Sequence, residues 1–220
     1  MLSIAEITAR ENLYQFFASS LLKEPSKEFL QGIIETAPYL KEIFTDVSFS
    51  EWDQIFQNYQ NGMITLPDLR QDFYDLFFVT VSGRYFPAVE SIVLYQRMWS
   101  ETEFEVGQRY EKVNFKPADL QIFVPFKQLG MADLLGYELA YLAHLCKMET
   151  NSSMELRRQI QLEELNMLEE HIIPFVQKYK DLSFFLTKGT LYGVLIDLIL
   201  HFAQMDRQMI LDSGVIEYAK

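Results

Sequence analysis

The sequence holds a single cysteine, Cys146, in 220 residues. No internal disulfide can form, and without a CxxC pair or a Cys/His cluster there is no structural zinc site, so the pattern implies a reducing compartment. Bases are scarce as well: 19 Lys and Arg against 31 Asp and Glu give a formal charge of −12. Such a surface repels a phosphate backbone and anionic lipid alike, which excludes nucleic acid and membrane headgroups as partners and favours basic ones. Long apolar runs are missing. The most apolar stretch, Leu191 to Met205, contains Asp197 and His201 and falls short of the ~20 residues a membrane span needs. The opening MLSIAEITARENLYQFF carries Glu6 and Glu11 and has no basic region ahead of an apolar run, which is unlike an export signal. A soluble, cytoplasmic chain without membrane insertion is expected.

What the sequence does have is apolar mass: 49% hydrophobic and 15% aromatic residues. A chain of this length hides roughly 70% of the surface its unfolded form exposes, enough for a full core without staples. A 3.6-residue period dominates. Ser3 and Glu6 have capping-box spacing, and Ile4, Ile7, Tyr14, Phe17 and Leu21 form a stripe that ends before Pro25. A short helical piece is predicted from Lys27 to Thr36, stopping near Pro38, then one capped by Ser50 and closed by Asn61-Gly62, and another opened by Thr65. The passage VTVSGRYFPAVES reads as a structured connector. Helices are expected from Ala88 to Trp99 and from Glu101 to Lys112. The period is lost from Asn114 to Gly130, where Pro117 and Pro125 sit. Three stronger helices follow, at Met131 to Met148, Ser153 to Ile173 with an end at Pro174, and Thr190 to Leu211. No repeat, low-complexity tract or strand alternation is visible. The expected fold is all-α, one domain over residues 1–220, a bundle of eight to ten helices.

Catalytic machinery is largely absent. There is no Walker loop, dinucleotide-binding glycine pattern or GxSxG elbow. The residues three before His144, His171 and His201 are Tyr141, Leu168 and Leu198, so the Glu-x-x-His pairs of a di-iron bundle are missing. No catalytic residue, metal site or cofactor is assigned. Asp197 and His201, four apart on one helix face, offer either an acid/base pair or an ordinary ion pair at the core edge. Cys146 follows Leu142 and Leu145 and reads as a buried, inert thiol.

Two carboxylates stand where apolar residues are expected. Glu138 shares a helix stripe with Leu134, Leu135, Tyr141 and Leu142, and a carboxylate there needs a partner. Either an internal bond holds it or it waits in a groove for an incoming cation. Glu90, just after Pro87, poses the same choice and could instead complement a helix N-terminus. Residues 42–75 hold seven acids against one base, Arg70, interleaved with Trp52, Phe56, Tyr59, Phe73 and Tyr74. This is a solvated helix face or a surface for an Arg-bearing apolar peptide.

The string Asp133-x-x-Gly136-x-Glu138-Leu139-x-Tyr141-Leu142-x-x-Leu145 resembles the central signature of the TorD/DmsD/NarJ family of molybdoenzyme maturation chaperones. Arg10-x-x-Leu13-Tyr14 with Glu24-Pro25, Phe73-Tyr74 to Phe78 with Pro87-x-x-Glu90-Ser91, and Leu168-x-x-His171-x-x-Pro174-Phe175 resemble its other blocks, in order. Leu134 stands where members usually carry histidine, and Phe175 where they carry tryptophan. The resemblance implies a cytoplasmic, non-enzymatic, all-helical chaperone. It would hold the catalytic subunit of a molybdenum oxidoreductase, through the subunit's twin-arginine leader or its mature part, until the molybdopterin cofactor is inserted. By motif position Asp133, Glu138 and Glu90 become candidates for guanidinium or backbone capture, with Phe77, Tyr85 and Pro87 as apolar wall. A monomer or a dimer that exchanges helices across the long loop would both serve. The competing class is a helical enzyme or small-ligand protein built around Asp197 and His201, or around His144, and its mark would be a closed apolar pocket containing that histidine with a polar partner in reach.

Overall fold

In the computed structural model, which describes residues 2–214, the chain is an all-α bundle with no strand among those residues. Helix α1 (Ile4–Leu22) starts at the expected capping box, where the Ser3 N–H donates to Glu6 at 2.7 Å and the Ser3 hydroxyl accepts the Glu6 N–H. Ile7, Tyr14, Phe17 and Leu21 of the predicted stripe are buried, while Ile4 lies at the surface. Helix α2 (Lys27–Ile43) does not stop near Pro38 as expected but runs through it. Pro38 faces solvent, so water can take the carbonyl its missing N–H leaves over, while Leu30, Ile33 and Leu40 hold the buried face across the break. Helix α3 (Ser50–Gln60) begins one residue after Phe49, not at a Ser50 cap, and ends at Asn61 with Gly62 in the left-handed region. Helix α4 (Leu66–Phe77) has the Thr65–Asp68 capping box.

The middle of the chain departs most from expectation. Helix α5 (Glu90–Tyr95) is only half the expected length, terminated by Gln96 at φ 56°. Helix α6 (Glu101–Lys112) is as predicted. Inside the 114–130 stretch read as loop lies a short helix, α7 (Val124–Leu129), where Pro125 occupies the first turn and leaves no intrahelical N–H unmade. Helix α8 (Leu135–Thr150) starts four residues later than predicted. Residues before it are extended and pair with the strap ahead of α5: Val89 and Leu134 form an antiparallel bridge, the Glu90 N–H donates to the Asp133 carbonyl at 2.9 Å, and the Leu135 N–H to that of Ala88 at 2.9 Å.

Helix α9 (Met154–Met167) does not end at Pro174. It passes through one π turn, residues 168–172, into α10 (Ile173–Thr187), an unpredicted helix. A proline cannot donate to the carbonyl four residues back and its ring crowds it. The wider π turn, closed by the Ile173 N–H on the Leu168 carbonyl, absorbs both problems, and Pro174 opens α10. Helix α11 (Leu191–Asp212) is capped by Thr190. With α9 and α10 taken as one continuous rod, the described residues form ten helices.

Helices α1 and α8 pack along their lengths in antiparallel sense: Leu22 meets Gly136 at one end, and Arg10 reaches Glu149 at the other. Gly136 is required there. A Cβ would lie 2.4 Å from Leu22 Cγ, inside any van der Waals contact. Helices α9, α10 and α11 close around this pair, α3 rests on α11, and α5 is wedged between α6 and α10. The buried apolar side chains form one continuous core. Among the described residues no helix is long and apolar enough to cross a membrane.

Candidate functional site

Three of the sequence's candidate residues come together where the strap before α5 meets the start of α8. Asp133, Glu138 and Glu90 are all enclosed, at 0%, 0% and 1% exposure. Asp133 accepts the Ser91 N–H at 2.8 Å through Oδ2 and so caps the first turn of α5. Glu90 accepts from His171 Nδ1 at 2.9 Å, tying α5 to the π turn. Glu138 has no donor among the described residues, and Asp133 Oδ1 has none either. Burial, with the charges of Glu90 and Asp133, pushes the Glu138 carboxyl well above the usual carboxylate range. The buried Tyr110 phenol is raised by burial and then by Glu138 and Asp133; its O–H donates to the Ala132 carbonyl at 3.0 Å.

These carboxylates therefore sit behind the surface, and an incoming guanidinium could reach them only if α5 lifted. The apolar wall expected beside them divides in the same way. Phe77 is buried among Phe73, Phe126 and Tyr192, and Pro87 is buried in the strap, whereas Tyr85 is 36% exposed.

In front of the cluster, separated from it by Ala132, lies an open cavity of about 470 Å³ lined by Trp99, Glu103, Phe104, Gly107 and Glu111. A second of about 800 Å³ continues over Tyr95, Met98, Glu101 and Glu105. Trp99 is 74% and Phe104 66% exposed, with Tyr95 and Met98 exposed beside them. Monomer surfaces seldom gather four large apolar side chains in ten residues without a use. Gln96 and Trp99 both have φ above +50°, a region bulky residues avoid, so the turn that displays Trp99 is held under strain. The carboxyl of Glu103 is raised by burial and then by Asp133, although a hydrogen bond from Ala132 opposes this, so the buried cluster is felt at the groove. Sequence reading placed 88–99 on one helix and passed over this turn. Tyr95, Met98 and Trp99 stand at i, i+3 and i+4, the spacing of a single helical stripe, so nothing in the sequence marked the turn.

A second buried polar network, also unforeseen, joins the helices. Arg10 donates to Asp206 (2.5 and 3.0 Å), Glu164 (2.6 Å) and Glu149 (3.2 Å), and Tyr14 donates to Asp206 at 2.5 Å. Burial alone would lower the Arg10 pKa, but Glu164 and Asp206 outweigh it and hold it well above the usual value. Burial pushes Glu164 up to about 7 against the opposing pull of Arg10. Cys146 lies in the same network, 3.4 Å from Glu164, its thiol raised by burial and then by that carboxylate. It is the buried thiol expected. Arg10 and Tyr14 belong to the opening block and anchor this network, whereas Glu90 and Ser91 of the second block meet Asp133 of the central block and His171 of the late one in the first cluster.

The acidic, aromatic stretch 42–75 separates on folding. Trp52, Phe56 and Phe73 turn into the core, while Asp53 pairs with Lys41 and Asp72 with Arg84. It is a solvated face. Asp197 and His201 do not bond to each other: Asp197 pairs with Lys180 at 2.9 Å, and His201 packs edge-on to Phe44. Among the described residues no group of three or more His, Cys, Asp or Glu is arranged to hold a metal ion.

Compared with known proteins, the chain matches the family described as nitrate reductase delta subunit over residues 46–180, more than half its length. No curated protein and no solved structure matches it significantly. The matched span contains the strap, the groove at 95–111 and the whole Glu90–Asp133–Glu138–His171 cluster. The chain belongs to the nitrate reductase delta subunit family, the NarJ/TorD-like chaperones of molybdoenzyme maturation.

Proposed function

We propose that this chain holds the catalytic subunit of a molybdopterin-dependent oxidoreductase, by a basic and apolar segment such as its twin-arginine leader, until the cofactor is inserted. It acts by binding, without turnover, in the cytoplasm. The observation that carries this reading is the groove at the α5–α6 joint. Tyr95, Met98, Trp99 and Phe104 supply apolar surface, while Glu101, Glu103, Glu105 and Glu111 supply charge. A leader with paired guanidiniums followed by an apolar stretch complements both halves. Glu90 and Asp133 act from behind, by fixing α5 and by adding negative potential, and Glu138 lies buried beside them. Tyr85 offers further apolar surface, while Phe77 and Pro87 are core residues.

Calorimetry with a peptide carrying two adjacent arginines and an apolar stretch tests this. Micromolar or tighter binding, weakened by salt, is expected. Trp99→Ala should weaken it by 30-fold or more, as truncation of a central aromatic anchor costs about 2 kcal/mol or more. Absence of binding to any leader or precursor would overturn the proposal. Binding of the mature subunit alone, with the same Trp99 dependence, would move the contact from the leader to the subunit.

A further inference from the structure

On the other side of α8 from the carboxylate cluster, the α1–α8 interface opens into a cavity of about 360 Å³, closed on its third side by residues 115–122. This lies within the range of small-molecule sites, roughly 300–1,000 Å³. Ala18 and Ala143 keep its floor low, and Phe115 and Ile122 make an apolar wall.

Its charge sets it apart. In a chain with 31 acids and 19 bases, this cavity is lined by Lys23, Lys147 and His144 and by no carboxylate. Four other cavities among the described residues are each lined by at least one Asp or Glu. Because α1 and α8 run antiparallel, Lys23 at the end of α1 and Lys147 near the end of α8 stand at opposite ends of the groove. Both are exposed, and neither pairs with a carboxylate among the described residues. The His144 Nε2–H donates to the Val113 carbonyl at 3.3 Å and its ring leans on Phe115, centroids 5.5 Å apart. The imidazole is thus fixed in the wall. The groove is open to solvent and so is not the closed pocket expected of a helical enzyme, although its histidine does have a polar partner in reach.

We propose that this groove binds a small amphiphilic anion, with an apolar body between Ala18, Ala143 and Phe115 and its anionic head on Lys23 or Lys147. An aliphatic carboxylate and an aromatic phosphate share that chemistry. The test uses the full chain and 8-anilinonaphthalene-1-sulfonate, an anion on an aromatic body. Saturable one-to-one binding is expected, weakened tenfold or more in the Lys23→Gln/Lys147→Gln double variant and unchanged in Trp99→Ala. Both lysines are exposed, so the double variant should melt as the parent does. Of the three histidines, His144 alone should show shifted ring-proton resonances on binding. Displacement by decanoate assigns the aliphatic source and displacement by adenosine monophosphate the aromatic one. The proposal is overturned by binding that ignores the lysines, by binding lost in Trp99→Ala, by an unmoved His144 signal, or by displacement with neither competitor.

Discussion

Replacing Arg10 by Met tests how the buried network holds α1 to the rest of the bundle. Met matches the length of the stem and opens no large cavity, so what is removed is the charge. Three carboxylates, Glu149, Glu164 and Asp206, lose the only guanidinium that reaches them all. Leaving a buried ion without its partner typically destabilises by about 3–5 kcal/mol. The alternative open to the variant is to protonate. Keeping an ordinary carboxylate neutral costs ~1.4 kcal/mol per pH unit above a pKa of ~4.3, which is about 5 kcal/mol at pH 8 but about 1 kcal/mol at pH 5. In the parent chain Glu164 already sits near pKa 7. The additional load therefore falls on the carboxylates that Arg10 keeps ionised. The expected result is a loss of about 3–5 kcal/mol at pH 8 that shrinks by half or more at pH 5. Urea unfolding at the two pH values, followed by far-UV circular dichroism, reads both. A loss that is the same at pH 5 and pH 8, or under about 1 kcal/mol at pH 8, would refute the electrostatic account and make Arg10 a packing residue.

Glu138→Gln should raise stability at pH 8 and leave it nearly unchanged at pH 4, as read from the shift in urea midpoint. The folded pKa is raised by burial, so folding takes up a proton. The contribution is full below the ordinary carboxylate range and lost as pH rises toward the folded pKa, and Gln removes that dependence. A Gln variant that is less stable at pH 8 would show that Glu138 is ionised and useful. Gly136→Ala should cost about 1–3 kcal/mol in the same assay, because the added methyl meets Leu22 at 2.4 Å across the α1–α8 contact. A neutral outcome would mean that Leu22 swings clear.

Helix existence was legible wherever a cap and a stripe agreed, as at Ser3–Glu6, Thr65–Asp68 and Thr190. Prolines misled in one direction. Pro38 lies on a solvent face, Pro125 in a first turn, and Pro174 after a π turn, three settings in which a proline does not end helical structure. Pro38 cannot be told from a helix end without knowing which face is wet, nor Pro174 without knowing that the turn before it widens. Glu138 was legible as a carboxylate out of place. Its surroundings were not, because Glu90, Asp133 and His171 are separated by tens of residues and meet only when the strap pairs with the start of α8. Arg10 and Asp206 lie 196 residues apart, and each looks like an ordinary helix charge until the other arrives.

The buried cluster and the exposed groove are parts of one device. A helix of six residues such as α5 is too short to persist on its own. Asp133 caps it, Glu90 ties it to His171, and the Val89–Leu134 bridge fixes the strap before it. The chain leaving α5 then has only a few residues in which to reach α6, and it turns through two left-handed residues, Gln96 and Trp99. Such conformations cost of order 1–3 kcal/mol each and persist only where the surroundings over-determine them. Here the surroundings are the carboxylates, buried at their own desolvation cost. That expense keeps Trp99 preset at the surface beside Phe104, and under the proposed function less ordering would remain to be done when a client segment docks. It also accounts for why acids chosen from sequence as ligand contacts turn up inside: they hold the aromatic surface in place.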